Sequence, residues 1–313
     1  MQPWQSLSAS LAVMHRVPAA PGIALALYEW RDAPATAPAL LVGHANGFSA
    51  GCYRPFLEYL AGHFRLFAFD ARGHGASSVP PPEPATNYRF VDLADDLGPL
   101  LAALRERLGG ATALHYCGHS LGAIMALLHV GRHRLDPFAT LTLFDPPVYP
   151  ADGHPLRSAA LASLPALVAR TLRRRAAWPS REAFLAAMAM PRAFGRFQPD
   201  MLAAYAEGVL KPTLAGGFTL ACPPAVEALI YDACLPSEAA GAALHVRASV
   251  HLYGPDPGGP EGATWQARHS PDLAARMPNA RHRFLPGRGH LMVQEDPEGA
   301  AKAVLTHVFG VAA

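Results

Sequence analysis

The chain has 313 residues and a mass of 33.2 kDa, is 51% hydrophobic and 16% charged, and carries a formal net charge of +2. Such a composition excludes disordered, collagen-like and fibrous classes and suffices for one large α/β domain or two smaller ones. Its 26 basic and 24 acidic residues are spread along the chain, so there is no charge field for a phosphate backbone and nucleic acid is not an expected partner.

Residues 1–22 lack the basic, apolar and small-residue segments of a signal peptide, and no run of 18 apolar residues occurs. A full-length cytoplasmic chain without stable membrane insertion is the expectation. Cys52, Cys117, Cys222 and Cys234 have neither CxxC nor zinc-ligand spacing and are read as reduced thiols. In chain order, residues 22–30 and 39–42 are short apolar runs bounded by Gly, Pro and Asp, which predicts strands. A helix over 53–62 and a strand over 64–70 follow, then a proline cluster at 80–84 that must be loop. Helical spacing over 88–108 ends at Gly109-Gly110. Residues 113–117 read as a strand, those after Ser120 as a helix and 140–144 as a strand. This order predicts a mostly parallel central sheet with helices on both faces.

From 150 to about 240 the pattern changes to helical stretches broken by prolines, without a convincing buried strand. That stretch reads as a helical insertion, leaving 1–149 and 241–313 as the core domain. The alternation resumes with a strand at 248–253, a helix at 264–277, a strand at 280–285 and a helix at 297–309.

Gly118-His119-Ser120-Leu121-Gly122 lies between a predicted strand and a predicted helix, the setting of a G-x-S-x-G nucleophile elbow. A tight turn there lifts Ser120 Oγ clear of the backbone and places it at a helix N-terminus, which favours developing negative charge. A serine hydroxyl needs a base, and His290, in a glycine-rich loop after the last strand, fits that role. Most other histidines fall in strands or at helix ends.

These residues resemble the α/β-hydrolase fold superfamily. Besides the elbow, His44-Ala45-Asn46-Gly47-Phe48 resembles its H-G-F loop with two residues inserted, and the stretch from Asp70 to Ser77 resembles its D-x-R-G-x-G-x-S turn. Leu285 to Pro297 resembles its terminal G-x-G-H-x-x-x-x-E-x-P. The resemblance implies an α/β-hydrolase fold with a helical cap at 150–240, and an oxyanion hole built from the backbone N–H groups of Phe48 and Leu121. The turn from Asp70 to Ser77 is read as structural, with Arg72 and His74 bracing the loops. The acid that orients the histidine is either Asp256, after the strand where most members carry it, or Asp145, after the preceding strand, where some dehalogenases and cofactor-free dioxygenases keep theirs; Glu261 and Asp272 are more distant candidates.

A serine nucleophile argues against the alkyl-ester chemistry that epoxide hydrolases and haloalkane dehalogenases perform with aspartate. The expectation is a serine hydrolase cleaving a small to medium, mainly apolar ester or lactone. Its alternatives are non-hydrolytic use of the same site, as a perhydrolase, C–C hydrolase or cofactor-free oxygenase, and a small-molecule receptor. No HExxH, Walker or Rossmann motif occurs, so no metal or cofactor is expected; oligomeric state is open. In the insertion, Phe184, Met188, Met190, Phe194, Phe197, Met201 and Tyr205 are candidates for pocket lining or for helix packing, Arg173-Arg174-Arg175 is read as a solvated helix face, and Arg288 as a loop or cap contact.

Overall fold

In the computed structural model, which describes residues 12–30, 33–83, 85–109, 112–190, 194–233 and 238–310, eight strands form one sheet. They are β1 (Ala12–Ala20), β2 (Ile23–Trp30), β3 (Ala39–Gly43), β4 (Arg65–Asp70), β5 (Leu114–His119), β6 (Thr140–Phe144), β10 (Ser249–Pro255) and β11 (Ala280–Leu285), in the order β1-β2-β4-β3-β5-β6-β10-β11. The β1/β2 and β2/β4 pairs are antiparallel and all others parallel. The central strands β3 and β5 are buried at every position, as a sheet covered on both faces requires.

The helices are α1 (Arg54–Ala61), α2 (Phe90–Asp95), α3 (Leu97–Leu108), α4 (Leu121–His133), α5 (Arg157–Leu172), α6 (Arg181–Ala189), α7 (Pro199–Val209), α8 (Pro224–Asp232), α9 (Glu238–Ala243), α10 (Trp265–Ala275), α11 (Met292–Glu295) and α12 (Pro297–Phe309). One apolar layer joins the sheet to α2, α3, α4 and α10; the other joins it to α1, α7 and α12. This is the expected α/β-hydrolase architecture.

Three details differ from the sequence expectation. Strand β1 was not anticipated, because Pro18 interrupts its alternation and marks a register shift. The helix expected over 88–108 is two helices broken at Asp96, whose carboxylate is drawn into a buried bidentate pair with Arg72, Nε to Oδ2 at 2.7 Å and Nη2 to Oδ1 at 2.5 Å. Residues 150–240 are not purely helical: β7 (Ala177–Trp178), β9 (Phe218–Leu220) and β8 (Leu210–Pro212) form a small antiparallel sheet in that order. Strands of two or three residues are too short to carry a period. The boundary near 240 falls inside α9, which packs directly on α4 where Gly131 meets the Ala242 backbone.

Cys52, Cys117 and Cys222 are buried free thiols, while Cys234 lies outside the described residues. Among the described residues no helix is long and apolar enough to cross a membrane.

Candidate active site

Ser120 occupies the junction of β5 and α4 with φ 52° and ψ −111°, a left-handed conformation uncommon for a side-chain-bearing residue. The flanking glycines allow it. A Cβ on Gly118 would stand 2.7 Å from the Ala123 backbone, and one on Gly122 would stand 2.5 Å from the Gly43 backbone. Ser120 N–H donates to Phe144 C=O at 2.9 Å, and Gly122 N–H to His44 C=O at 2.9 Å. Leu121 opens α4, so its N–H belongs to the first turn, whose amides have no acceptor within the helix.

Phe144 closes β6, and Asp145 follows it with φ 37° and its own N–H donating to Tyr253 C=O of β10 at 2.8 Å. That turn directs the Asp145 carboxylate to His290, whose Nδ1–H donates to Oδ2 at 2.6 Å. Asp256 does not approach the ring. It is turned into its own loop, where Oδ1 accepts Gly258 N–H at 2.8 Å and Oδ2 accepts Gly287 N–H at 2.7 Å. Those two amides hold its carboxyl below the ordinary carboxylate range. The structure therefore brings His290 to Asp145 and leaves Asp256 as a brace of the adjoining loops. Burial works against charge on the His290 ring, but the hydrogen bond and charge of Asp145, with Glu261 and Glu295 behind them, outweigh it and raise its pKa above 6.5.

The backbone around His290 is held by two carboxylates. His290 N–H donates to Glu261 Oε2 at 2.9 Å and Gly289 N–H to Glu295 Oε2 at 3.0 Å. The outer oxygens of both acids meet Arg196, from the inserted segment: Nη2 lies 2.8 Å from Glu261 Oε1, and Nε donates to Glu295 Oε1 at 2.9 Å. Glu295 is visible in the terminal motif, but nothing in the sequence flags Arg196.

The opposing loop differs from expectation at Phe48. Its N–H donates to Ala45 C=O at 3.1 Å, closing a turn, while Gly47 N–H donates to His74 Nε2 at 3.0 Å. With Nδ1–H on the Arg72 carbonyl at 3.0 Å, His74 is a neutral brace, and burial pushes its pKa down to about 3. Buried His44 is a second brace, its Nε2 accepting Ala71 N–H at 2.9 Å, and burial lowers its pKa. The structural reading of the turn from Asp70 to Ser77 agrees with Asp70, whose carboxylate accepts Ala50 N–H, Tyr28 O–H and Ala76 N–H, each at 2.8 Å. A further chain crosses the site: Ala45 N–H donates to Tyr53 Oη at 3.0 Å, Tyr53 O–H to His119 Nδ1 at 2.6 Å, and His119 Nε2–H to His290 C=O at 2.9 Å. The loop facing Ser120, the elbow and the histidine loop are thus one hydrogen-bonded unit.

The inserted segment rests on that unit. Tyr205 packs its ring 4.8 Å from that of Phe48, and Asn46 Nδ2–H donates to Glu227 C=O at 3.0 Å. Arg174 is not on a solvated face: it pairs with buried Glu227 and donates to Tyr205 Oη at 3.0 Å. Arg175 stacks on Trp178 at 4.4 Å, and Arg288 donates to Asp296 at 3.0 Å. Phe184, Phe197, Met201 and Tyr205 are buried, Met188 and Phe194 partly so, while Met190 is 86% exposed and lines nothing.

Residues 39–303 match the Alpha/beta hydrolase family, and the chain belongs to that family. Among curated relatives, it is 39% identical over 95 residues to RutD of Pantoea ananatis, which is named as a carbamate hydrolase, covering 30% of this chain and 31% of that one. It is 29% identical over 112 residues to 3-oxoadipate enol-lactonase 1 of Acinetobacter baylyi, covering 36% and 38% respectively. The matched stretches thus span about a third of the length of these relatives. Among solved structures, E-2-(acetamidomethylene)succinate hydrolase superposes with a TM-score of 0.76 at 21% identity, covering 95% of this chain and 99% of that one. The peroxisomal α/β-hydrolase Lpx1 of Saccharomyces cerevisiae gives a TM-score of 0.72 at 17% identity, covering 96% and 88%. At these identities the superpositions speak for the fold.

Proposed function

We propose that the protein is a serine hydrolase that cleaves a carboxylic ester or lactone through an acyl-enzyme on Ser120. The observation that carries this reading is the 2.6 Å hydrogen bond from His290 Nδ1 to Asp145, on the loop beside the elbow. With its proton on Nδ1, the ring keeps the Nε2 lone pair as a general base. In the reaction Ser120 Oγ bonds to the substrate carbonyl carbon as its proton passes to Nε2. The tetrahedral intermediate then expels the alkoxide, which takes that proton. Water repeats the sequence, giving up a proton to Nε2 as it attacks the acyl carbon, and Ser120 leaves with the proton restored.

The developing oxyanion is assigned to the Leu121 N–H and the positive end of α4; Phe48 contributes only by sharing its hydrogen with Ala45. Residues 150–240 act as the cap, with Tyr205 and its aromatic neighbours favouring an apolar acyl or alkyl group. The bonds hydrolysed by the relatives, a carbamate and an enol-lactone by name, are carbonyl bonds open to the same attack.

A fluorophosphonate probe followed by peptide mapping tests the reading, with p-nitrophenyl esters of increasing chain length in parallel. A single adduct on Ser120 and a chain-length optimum are expected. An unlabelled Ser120 in folded protein overturns the acyl-enzyme. The position of Asp145 favours a second reading, since cofactor-free dioxygenases of this fold carry their acid after the same strand. In that case His290 is the base and Ser120 only positions substrate, so activity survives Ser120→Ala and is lost in His290→Ala.

A further inference from the structure

His269, on α10, is 3% exposed, and neither of its ring nitrogens has a hydrogen-bond partner among the described residues. Buried polar groups are almost always paired, and an unpaired one calls for an occupant such as a water or an ion. Two groups face it. The His154 ring lies edge-on, with centroids 4.8 Å apart, and Asp272 is three residues further along the helix on the same side. His154 Nε2 and Asp272 Oδ2 are 3.1 Å apart, and one donor atom from each of the three residues lies within 4.8 Å of the others.

We propose that His154, His269 and Asp272 bind one zinc ion, which clips the start of the inserted segment to the core helix α10. Zinc bonds of about 2.0–2.2 Å in tetrahedral geometry put neighbouring donor atoms about 3.3 Å apart, close to the spacing already present between His154 and Asp272. Two imidazoles and one carboxylate suit a borderline divalent ion, whereas magnesium and calcium ask for an all-oxygen shell. A water completes the fourth position.

His154 Nδ1 accepts Leu156 N–H at 3.1 Å, so its proton sits on Nε2 and points at Asp272. On binding, that proton moves to Nδ1, the Leu156 amide turns to water, and the Nε2 lone pair goes to the metal, with no net proton released. Arg276, just past the end of α10, is turned away to the core, where its Nε donates to Ala240 C=O at 2.8 Å.

A second cluster shows what a satisfied arrangement looks like. Asp95, His129 and His133 also lie within 4.8 Å of one another. There His129 Nδ1–H is held by Ala94 C=O at 3.0 Å, His133 by Asp95 at 2.9 Å, and Arg132 stands 3.9 Å from the same carboxylate. Its negative charge is already met. The absence of metal expected from the sequence rested on compact motifs, and a site dispersed over residues 154, 269 and 272 has none.

The test uses tag-free, chelator-treated full-length protein titrated with zinc chloride by calorimetry, and with cobalt(II) by visible absorption. One zinc per chain at micromolar affinity or tighter, a rise in Tm with zinc, and cobalt bands of a nitrogen-containing site are expected. Asp272→Asn and His154→Gln, both at partly exposed side chains, weaken binding about tenfold or more, while His133→Gln leaves it unchanged. Binding without one-to-one saturation, or an affinity that Asp272→Asn and His154→Gln leave within twofold, marks an adventitious ion and overturns the site. Loss on His133→Gln alone also overturns it, by moving the ion to the other cluster.

Discussion

Ser120 at φ 52° and Asp145 at φ 37° are two of the three described non-glycine residues with positive φ. Each such residue costs about 1–3 kcal/mol, and such strain persists where the surroundings over-determine it. At Asp145 it decides which carboxylate meets the histidine. Both candidate acids follow neighbouring strands, and the sequence placed Asp256 ahead of Asp145; the direction of a side chain at a strand end depends on a backbone torsion that no pattern encodes. Ser120→Ala is expected to lower ester turnover by at least about 10³-fold, and Asp145→Asn by about 10⁴-fold. Asp256→Asn should leave kcat within a few-fold, and a loss at Asp256 matching that at Asp145 would reverse the assignment. The base must be unprotonated, so kcat/KM rises with pH through an apparent pKa above 6.5. In Asp145→Asn the burial of the ring is no longer opposed by that charge, and the residual activity should titrate at a lower pH than in the wild type. A pH profile of both proteins checks the order of the two limbs.

At the scale of elements, the strand ends and their motifs were legible because each carries its own punctuation: glycines at the elbow, a glycine-rich loop before His290, proline at the start of α12. What the sequence did not show was how the inserted segment grips them. Arg196 sits far from either glutamate in the chain, and its pairing is a product of tertiary folding. Because Glu261 and Glu295 each hold one amide of the histidine loop, Arg196 is expected to act as a positioning residue. Arg196→Ala is expected to lower kcat about 10-fold or more with a smaller effect on KM, and Arg196→Lys, which keeps the charge but not the two-sided fork, to recover only part of it. Equal changes in both parameters for Ala and Lys would speak for a packing role only. Gly122→Ala, whose added methyl meets the Gly43 backbone, should cost about 1–3 kcal/mol of stability in a denaturant titration.

For the whole molecule, the histidines set the response to acid. Burial depresses the pKa of His74 and His119 to about 3, well below the unfolded value of 6.5. Between those values the unfolded chain binds protons that the folded one refuses. Stability is therefore full above pH 6.5 and falls as the pH drops towards 3, by about 2 kcal/mol per such histidine at pH 5. A Tm measured from pH 8 to 5 should fall most steeply below 6.5; a flat profile would mean these rings are charged in the fold. His290 runs the other way, and its contribution fades as pH rises through its raised pKa. The two-way grip of Arg196 also bears on timing. If a reactant is admitted by residues 150–240 swinging aside, both glutamates would lose their common anchor and the His290 loop its footing. Such an open form would be a disarmed one, idle until the clamp re-forms, and its expected signature is a turnover that slows as solvent viscosity rises.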